Sequence, residues 1–211
     1  MIKNIIFDLG GVIITLDPGQ AVRRFEQLGV SDAAQRLDSY TQQGIFGNLE
    51  EGLISAETFM AELGKLVGRQ VTWDECCHAW QGYAGEVPRR NLEELERLHS
   101  EGYRLILLSN TNPFMMDWVC SDRFDGMGHG IEHYIDKMYL SFKMKLMKPN
   151  PEIFHQVLLN EGVAPSETLF VDDGARNVAV ASQMGIWTLC PENGDDWTGK
   201  LEQMLSEFKG K

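Results

Sequence analysis

Short apolar runs that end in polar residues alternate with longer segments whose apolar positions recur every three or four residues. The first run, Ile5-Ile6-Phe7, goes straight into Asp8 and then Leu9-Gly10-Gly11-Val12-Ile13. It reads as a strand buried on both faces, with a carboxylate at its end and a glycine turn behind it. From Pro88 onward the alternation is regular. The pattern predicts a helix over 88–101 and a strand over 103–108 ending at Ser109-Asn110. A helix over 114–120 and a short strand over 137–141 follow. The remainder predicts a helix over 151–161, a strand over 168–171, a helix over 175–184, a strand over 187–190 and a terminal helix over 201–208. Such alternation implies right-handed crossovers and a parallel sheet with helices on both faces.

Residues 17–86 have a different pattern, with no evident strand. Asp17-Pro18 reads as an N-cap followed by proline, and Val22, Phe25 and Leu28 form a stripe closed by Gly29. Ser31 opens a shorter helix. Residues 42–52 hold three glycines and little periodicity, and read as a loop. Ser55 begins a helix carrying Phe59, Leu63 and Leu66 and ending at Gly68. Thr72-Trp73-Asp74-Glu75 has the capping-box pattern, and Trp73, Cys77 and Trp80 continue one stripe. The expectation is a Rossmann-like α/β core made of 1–16 and 87–211, with a small helical cap, 17–86, inserted into it.

Composition narrows the functional classes. The chain has 211 residues, 43% of them hydrophobic, and a formal charge of −12. That balance argues against nucleic acid as a partner, because a phosphate backbone demands a basic face. A phosphorylated small molecule needs only one local positive site. No apolar run reaches a membrane span and no leader pattern is present, so a cytoplasmic protein is expected. Cys76, Cys77, Cys120 and Cys190 match neither a zinc site nor a disulfide framework, and read as free thiols. Monomer and dimer both remain open.

Three strand ends carry related chemistry: Asp8, Ser109-Asn110 and Asp172-Asp173. A parallel sheet brings them to one crevice, and Lys148 follows another strand closely enough to join them. Carboxylates for a hard cation, donors for phosphate oxygens and one ammonium are what transfer through an aspartyl-phosphate needs. The five histidines show no metal-ligand spacing and read as structural or solvated. Trp73 and Trp80 read as cap core, and the stretch around Phe46 and Gly47 as pocket lining.

In order and approximate spacing, Phe7-Asp8-Leu9-Gly10-Gly11-Val12, Leu108-Ser109-Asn110, Lys148-Pro149 and Phe170-Val171-Asp172-Asp173 with Asn177 resemble the four motifs of the haloacid dehalogenase superfamily. The resemblance covers essentially the whole chain and is nearest to small-cap phosphatases of sugar phosphates, where Ser109-Asn110-Thr111-Asn112 is typical. It implies Asp8 as nucleophile and magnesium ligand, with the Gly10 carbonyl and Asp173 as further ligands. Asp172 is implied as a direct or an outer ligand. Ser109, Asn110 and Thr111 would bind phosphate, Lys148 would bridge Asp8 and phosphate, and Asn177 would act through metal-bound water.

Two positions depart from the family pattern. A second aspartate usually stands two residues after the nucleophile, as general acid and base; here that residue is Gly10. Lys145 stands where a glycine is common. The expected activity is magnesium-dependent hydrolysis of a small phosphorylated metabolite. Gly10 keeps open a non-catalytic binding protein, and Asp8 alone keeps open a dehalogenase acting on carbon.

Overall fold

The computed structural model describes residues 1–37 and 42–209. Among them, β1 (Asn4–Phe7), β2 (Arg104–Ser109), β3 (Lys137–Leu140), β4 (Thr168–Val171) and β5 (Trp187–Leu189) form one sheet in the order β3-β2-β1-β4-β5. Every pairing is parallel, with Ile6 of β1 opposite Ile106 on one side and Phe170 on the other. The central β1 is buried at all four positions. Its side chains alternate between the two faces, as strand geometry requires. Ile5 and Phe7 belong to one apolar cluster with Leu105 and Leu107, and Ile6 to another with Ile106, Leu108 and Phe170.

Between β1 and β2 run α1 (Pro18–Leu28), α2 (Ala33–Arg36), α3 (Ile45–Glu50), α4 (Ala56–Val67) and α5 (Trp73–Trp80), and then α6 (Arg89–Ser100). After β2 come α7 (Pro113–Val119), then β3 followed directly by α8 (Ser141–Met144). The chain continues through α9 (Pro151–Glu161), α10 (Ala175–Gln183) and α11 (Thr198–Lys209). Leu92 and Leu95 of α6 and Leu201 of α11 pack with the Phe7 face, while Ile153 and Phe154 of α9 and Ala181 of α10 pack with the Ile6 face. Helices therefore cover both faces, as the alternating pattern predicts.

Local signals place the helix starts. Asp17 accepts from Gln20 N at 2.9 Å ahead of Pro18. Ser55 accepts from Thr58 N, and Thr72 with Glu75 closes the expected capping box. The loop expected over 42–52 is instead α3 in its larger part. Phe46 and Leu49 explain it: both are fully buried, and Phe46 meets Phe25, Phe59 and Trp80 at ring-centroid distances of 5.1–5.9 Å. Burial of that much apolar surface outweighs the weak helix propensity of Gly47. Gly47 is required for space as well, since a Cβ there would lie 2.5 Å from Gln42 O.

No strand lies between α1 and α5 among the described residues. This helical block joins the sheet through two chain segments that pair antiparallel. Thr15 N donates to Glu86 O at 2.9 Å, Gly85 N to Thr15 O at 2.9 Å and Asp17 N to Tyr83 O at 2.8 Å. The turn after β1 is fixed from the other side. Buried Asn91 of α6 donates to Val12 O and Ile13 O at 2.8 and 3.1 Å, and Trp197 Nε1 donates to Val12 O at 2.8 Å. Asn91→Ala strips Ile13 O of this buried donor. It is expected to lower stability by about 1–3 kcal/mol, read from the urea unfolding midpoint; an unchanged midpoint would show that the turn holds without it.

Candidate active site

A cavity of about 790 Å³ lies at the carboxyl edge of the sheet, between the strand ends and the helical block. Asp8 and Gly10 after β1, Ser109 at the end of β2 with Asn110 to Asn112 beyond it, Lys148 and Asp173 all line it. The position follows from the topology. In a parallel sheet all strands point their carboxyl ends one way, and the strand order reverses direction at β1.

Buried Lys148 is the centre of the arrangement. Its Nζ lies 2.9 Å from Asp8 Oδ1 and 2.6 Å from Asp172 Oδ2. Burial by itself would discharge the amine, but Asp172 and then Asp8 hold its pKa above the ordinary lysine value. Asp172 is fully buried and committed on both oxygens. Oδ1 accepts from Gly174 N at 2.7 Å and Asn177 Nδ2 at 2.9 Å, and Oδ2 accepts from Asn177 Nδ2 at 3.2 Å besides Lys148. Asn177 thus holds Asp172. Asn110 is similarly committed: its Nδ2 donates to Lys148 O and its Oδ1 accepts from Lys148 N, both at 2.9 Å. Asn110 also lines the cavity, as expected of a phosphate-binding position. Its side chain fixes the backbone of the lysine.

Asp8 and Asp173 remain for a ligand. Burial pushes the Asp8 carboxyl up to about 7 against the pull of Lys148, with Asp172 and Asp173 adding to the rise. Burial and Asp172 raise Asp173 to about 6. Asp8, Asp172 and Asp173 each bring a carboxylate oxygen within 4.8 Å of the others. Three carboxylates face one ammonium, so the cluster carries an excess of negative charge on hard oxygen donors. That donor set suits magnesium. Gly11, at φ +74°, lets the turn pass this close, because a Cβ there would lie 2.2 Å from Asp173 Oδ2.

Gly10 lines the cavity, and the space beside it is occupied. A Cβ on Gly10 would lie 2.8 Å from Leu16 Cδ2, so an apolar side chain fills the direction in which an aspartate would start. Lys145 is left-handed at φ 55° and ψ 36°, which accounts for glycine being common at that position. It is exposed and outside the cavity wall.

The stretch around Phe46 and Gly47 borders the cavity through Gln42, Glu50 and Glu51 and not through those two residues. Phe46 points into the aromatic core of the helical block, whereas Glu50 and Glu51 at the end of α3 and Tyr83 line the cavity. Trp80 does both, packing on Phe25 and forming part of the wall. Glu50 had no signal in the sequence beyond being acidic. Its place depends on Ser141 Oγ, which donates to Glu50 O at 2.6 Å across 91 residues of chain. His129 and His133 stack on each other at 4.2 Å, with His129 Nδ1 2.8 Å from Asp125, outside the cavity wall.

Comparison with known proteins shows the family. The haloacid dehalogenase-like hydrolases match residues 2–185, and the chain belongs to that family. It is 48% identical to a D-ribitol-5-phosphate phosphatase of Bacteroides thetaiotaomicron over 98% of this chain and 100% of that protein. A HAD-like family hydrolase of Porphyromonas gingivalis superposes with a TM-score of 0.91 at 40% identity, over 97% and 98% of the two chains. A HAD family enzyme of B. thetaiotaomicron, crystallised with magnesium and inorganic phosphate, superposes with a TM-score of 0.85 at 35% identity, over 95% and 99%. No helix among the described residues is long and apolar enough to cross a membrane.

The raised carboxyl values set a pH dependence. Protonation of Asp8 and Asp173 favours the folded, metal-free chain fully below about pH 4, and that contribution is lost as pH rises through 6 and 7. Magnesium competes with those protons. It is therefore expected to raise the melting temperature more at pH 8 than at pH 5. A magnesium effect independent of pH would place the ion elsewhere.

Proposed function

We propose that the chain is a magnesium-dependent phosphatase of a small sugar or sugar-alcohol phosphate, acting through an aspartyl-phosphate on Asp8. The observation that carries this reading is the partly open Asp8 carboxylate, held by a buried lysine beside Asp173 at the end of the central strand. Asp8 attacks phosphorus. Lys148 orients that carboxylate and places its ammonium beside the phosphoryl oxygens, where charge moves in the transition state. Ser109 and Thr111 hold the phosphate from the end of β2, while Asn110 and Asp172 keep Lys148 in place. Asp8, the Gly10 carbonyl and Asp173 would hold magnesium, with Asp172 behind them. When bound, the ion offsets the repulsion between the carboxylates and the phosphate dianion.

Residues 17–86 act as a cap over a core of 1–16 and 87–211, and the paired segments around Thr15 and Gly85 form the neck between them. The polar side chains in the cavity wall, Gln42, Glu51, Tyr83 and Asn112 among them, suit a hydroxylated substrate, and the ribitol-phosphate phosphatase relative supports a five-carbon polyol phosphate. So many carboxylates in one crevice disfavour a metal-free reaction on carbon. The partner is a small phosphorylated metabolite and not a nucleic acid, in keeping with the acidic charge. Four free cysteines fit a reducing cytoplasm.

The test is phosphate release from ribitol 5-phosphate. Turnover is expected with magnesium and is expected to stop in excess chelator. Asp8→Asn should reduce it to background while the protein still melts cooperatively. Turnover persisting in a clean preparation of that variant would remove the aspartyl-phosphate route.

A further inference from the structure

The reaction needs a proton at the departing alcohol oxygen, and the residue two after Asp8 has none to give. A leucine, Leu16, and not a carboxyl lies beside Gly10, so a protein acid for this step comes from another element. Among the described residues, the carboxyls in the cavity wall are Asp8, Asp173, Glu50 and Glu51. The first two already have roles in the reading above, and Glu51 is more exposed than Glu50.

Glu50 is buried, yet it borders the same cavity as Asp8. The core fixes it on two sides. Asn112 Oδ1 accepts from Phe114 N and Met115 N at 3.1 Å each, which leaves Nδ2 as its donor to the Glu50 carboxyl. Ser141 Oγ donates to Glu50 O and also accepts from Thr111 N at 3.0 Å. Gly52, two residues on, passes so near the core that a Cβ would lie 2.2 Å from Phe142 O. A helix of the cap thus ends in a carboxyl that the core holds still. Burial pushes that carboxyl up to about 8 against the hydrogen bond from Asn112, so it keeps its proton at neutral pH.

We propose that Glu50 is the acid–base residue of this phosphatase, replacing the aspartate absent at Gly10. The inference rests on the aspartyl-phosphate reading. As Asp8 Oδ bonds to phosphorus, the ester P–O bond breaks, its electron pair stays on the alcohol oxygen, and the Glu50 proton moves there. The Glu50 carboxylate then takes a proton from the water whose oxygen bonds to phosphorus. The bond from phosphorus to Asp8 breaks, inorganic phosphate leaves, and both carboxyls return to their starting states.

Glu50→Gln keeps the shape and can still accept from Asn112, but it has no acidic proton. With the full chain and magnesium, its kcat/KM on ribitol 5-phosphate, which reports the steps up to departure of the alcohol, is expected to fall by about 10²–10⁴-fold. The kcat/KM for nitrophenyl phosphate, whose leaving group departs without protonation, should fall far less. An unchanged kcat/KM on ribitol 5-phosphate, or equal losses of kcat/KM on both esters in a folded variant, would overturn the assignment. If the variant does not fold, the unsubstituted protein decides. Rates that depend little on leaving-group basicity across a series of phosphate monoesters are expected, and a steep dependence would mean that no acid acts. Failure of the underlying reading is a separate outcome: the unsubstituted protein would release phosphate from neither ester, or Asp8→Asn would release it still.

Discussion

A lysine ammonium buried between two carboxylates is the constraint on which this site depends. Removing one member of such a group strands a charge away from water, at a cost of about 3–5 kcal/mol. The chain therefore surrounds Lys148 with fixed partners. Asp172 and Asp8 take its ammonium, Asn110 takes both polar groups of its backbone, and Asn177 and Gly174 saturate Asp172. The ring of Phe170 lies 5.6 Å below the nitrogen. Asp8, Asn110 and Asp172 stand just beyond the ends of β1, β2 and β4, and Asn177 reaches back from the first turn of α10, so the parallel sheet is what assembles them.

That network leaves an imbalance where a substrate would enter. Lys148 neutralises part of the negative charge, and the remainder falls on Asp8 and Asp173, whose carboxyls are pushed upward. A cation and a phosphate together can settle that imbalance, whereas a neutral ligand cannot. The site is thus complementary to a charged pair. This agrees with the magnesium and phosphate found in a structural relative.

The helical block is tied to the sheet at more than its neck. Glu50 and Gly52 lie against Ser141 and Phe142, and Phe114 of α7 packs on Phe59 and Trp73. These contacts bring the wall opposite Asp8 under the control of the loops that follow β2 and β3. The segment after β2 is thus tied to α3: Thr111 and Ser141 share hydrogen bonds, Ser141 donates to Glu50 O, and Asn112 meets the Glu50 carboxyl.

The sequence by itself determined the features whose causes are local. Apolar runs with polar ends located β1, β2 and β4 and therefore Asp8, Ser109 and Asp172-Asp173. Side-chain caps at Asp17, Ser55 and Thr72 located helix starts within a few residues, because each bond spans only three positions. The tertiary structure decided the rest. Helix α3 forms in a glycine-rich stretch because Phe46 finds Phe25, Phe59 and Trp80. The amide of Asn110 turns to Lys148 across 38 residues, and Leu16 comes to rest beside Gly10. Glu50 reaches the cavity because Ser141 and Asn112 hold it there. A carboxyl's chemistry is set by the water it loses and the partners it meets, and both are fixed only when distant segments pack together.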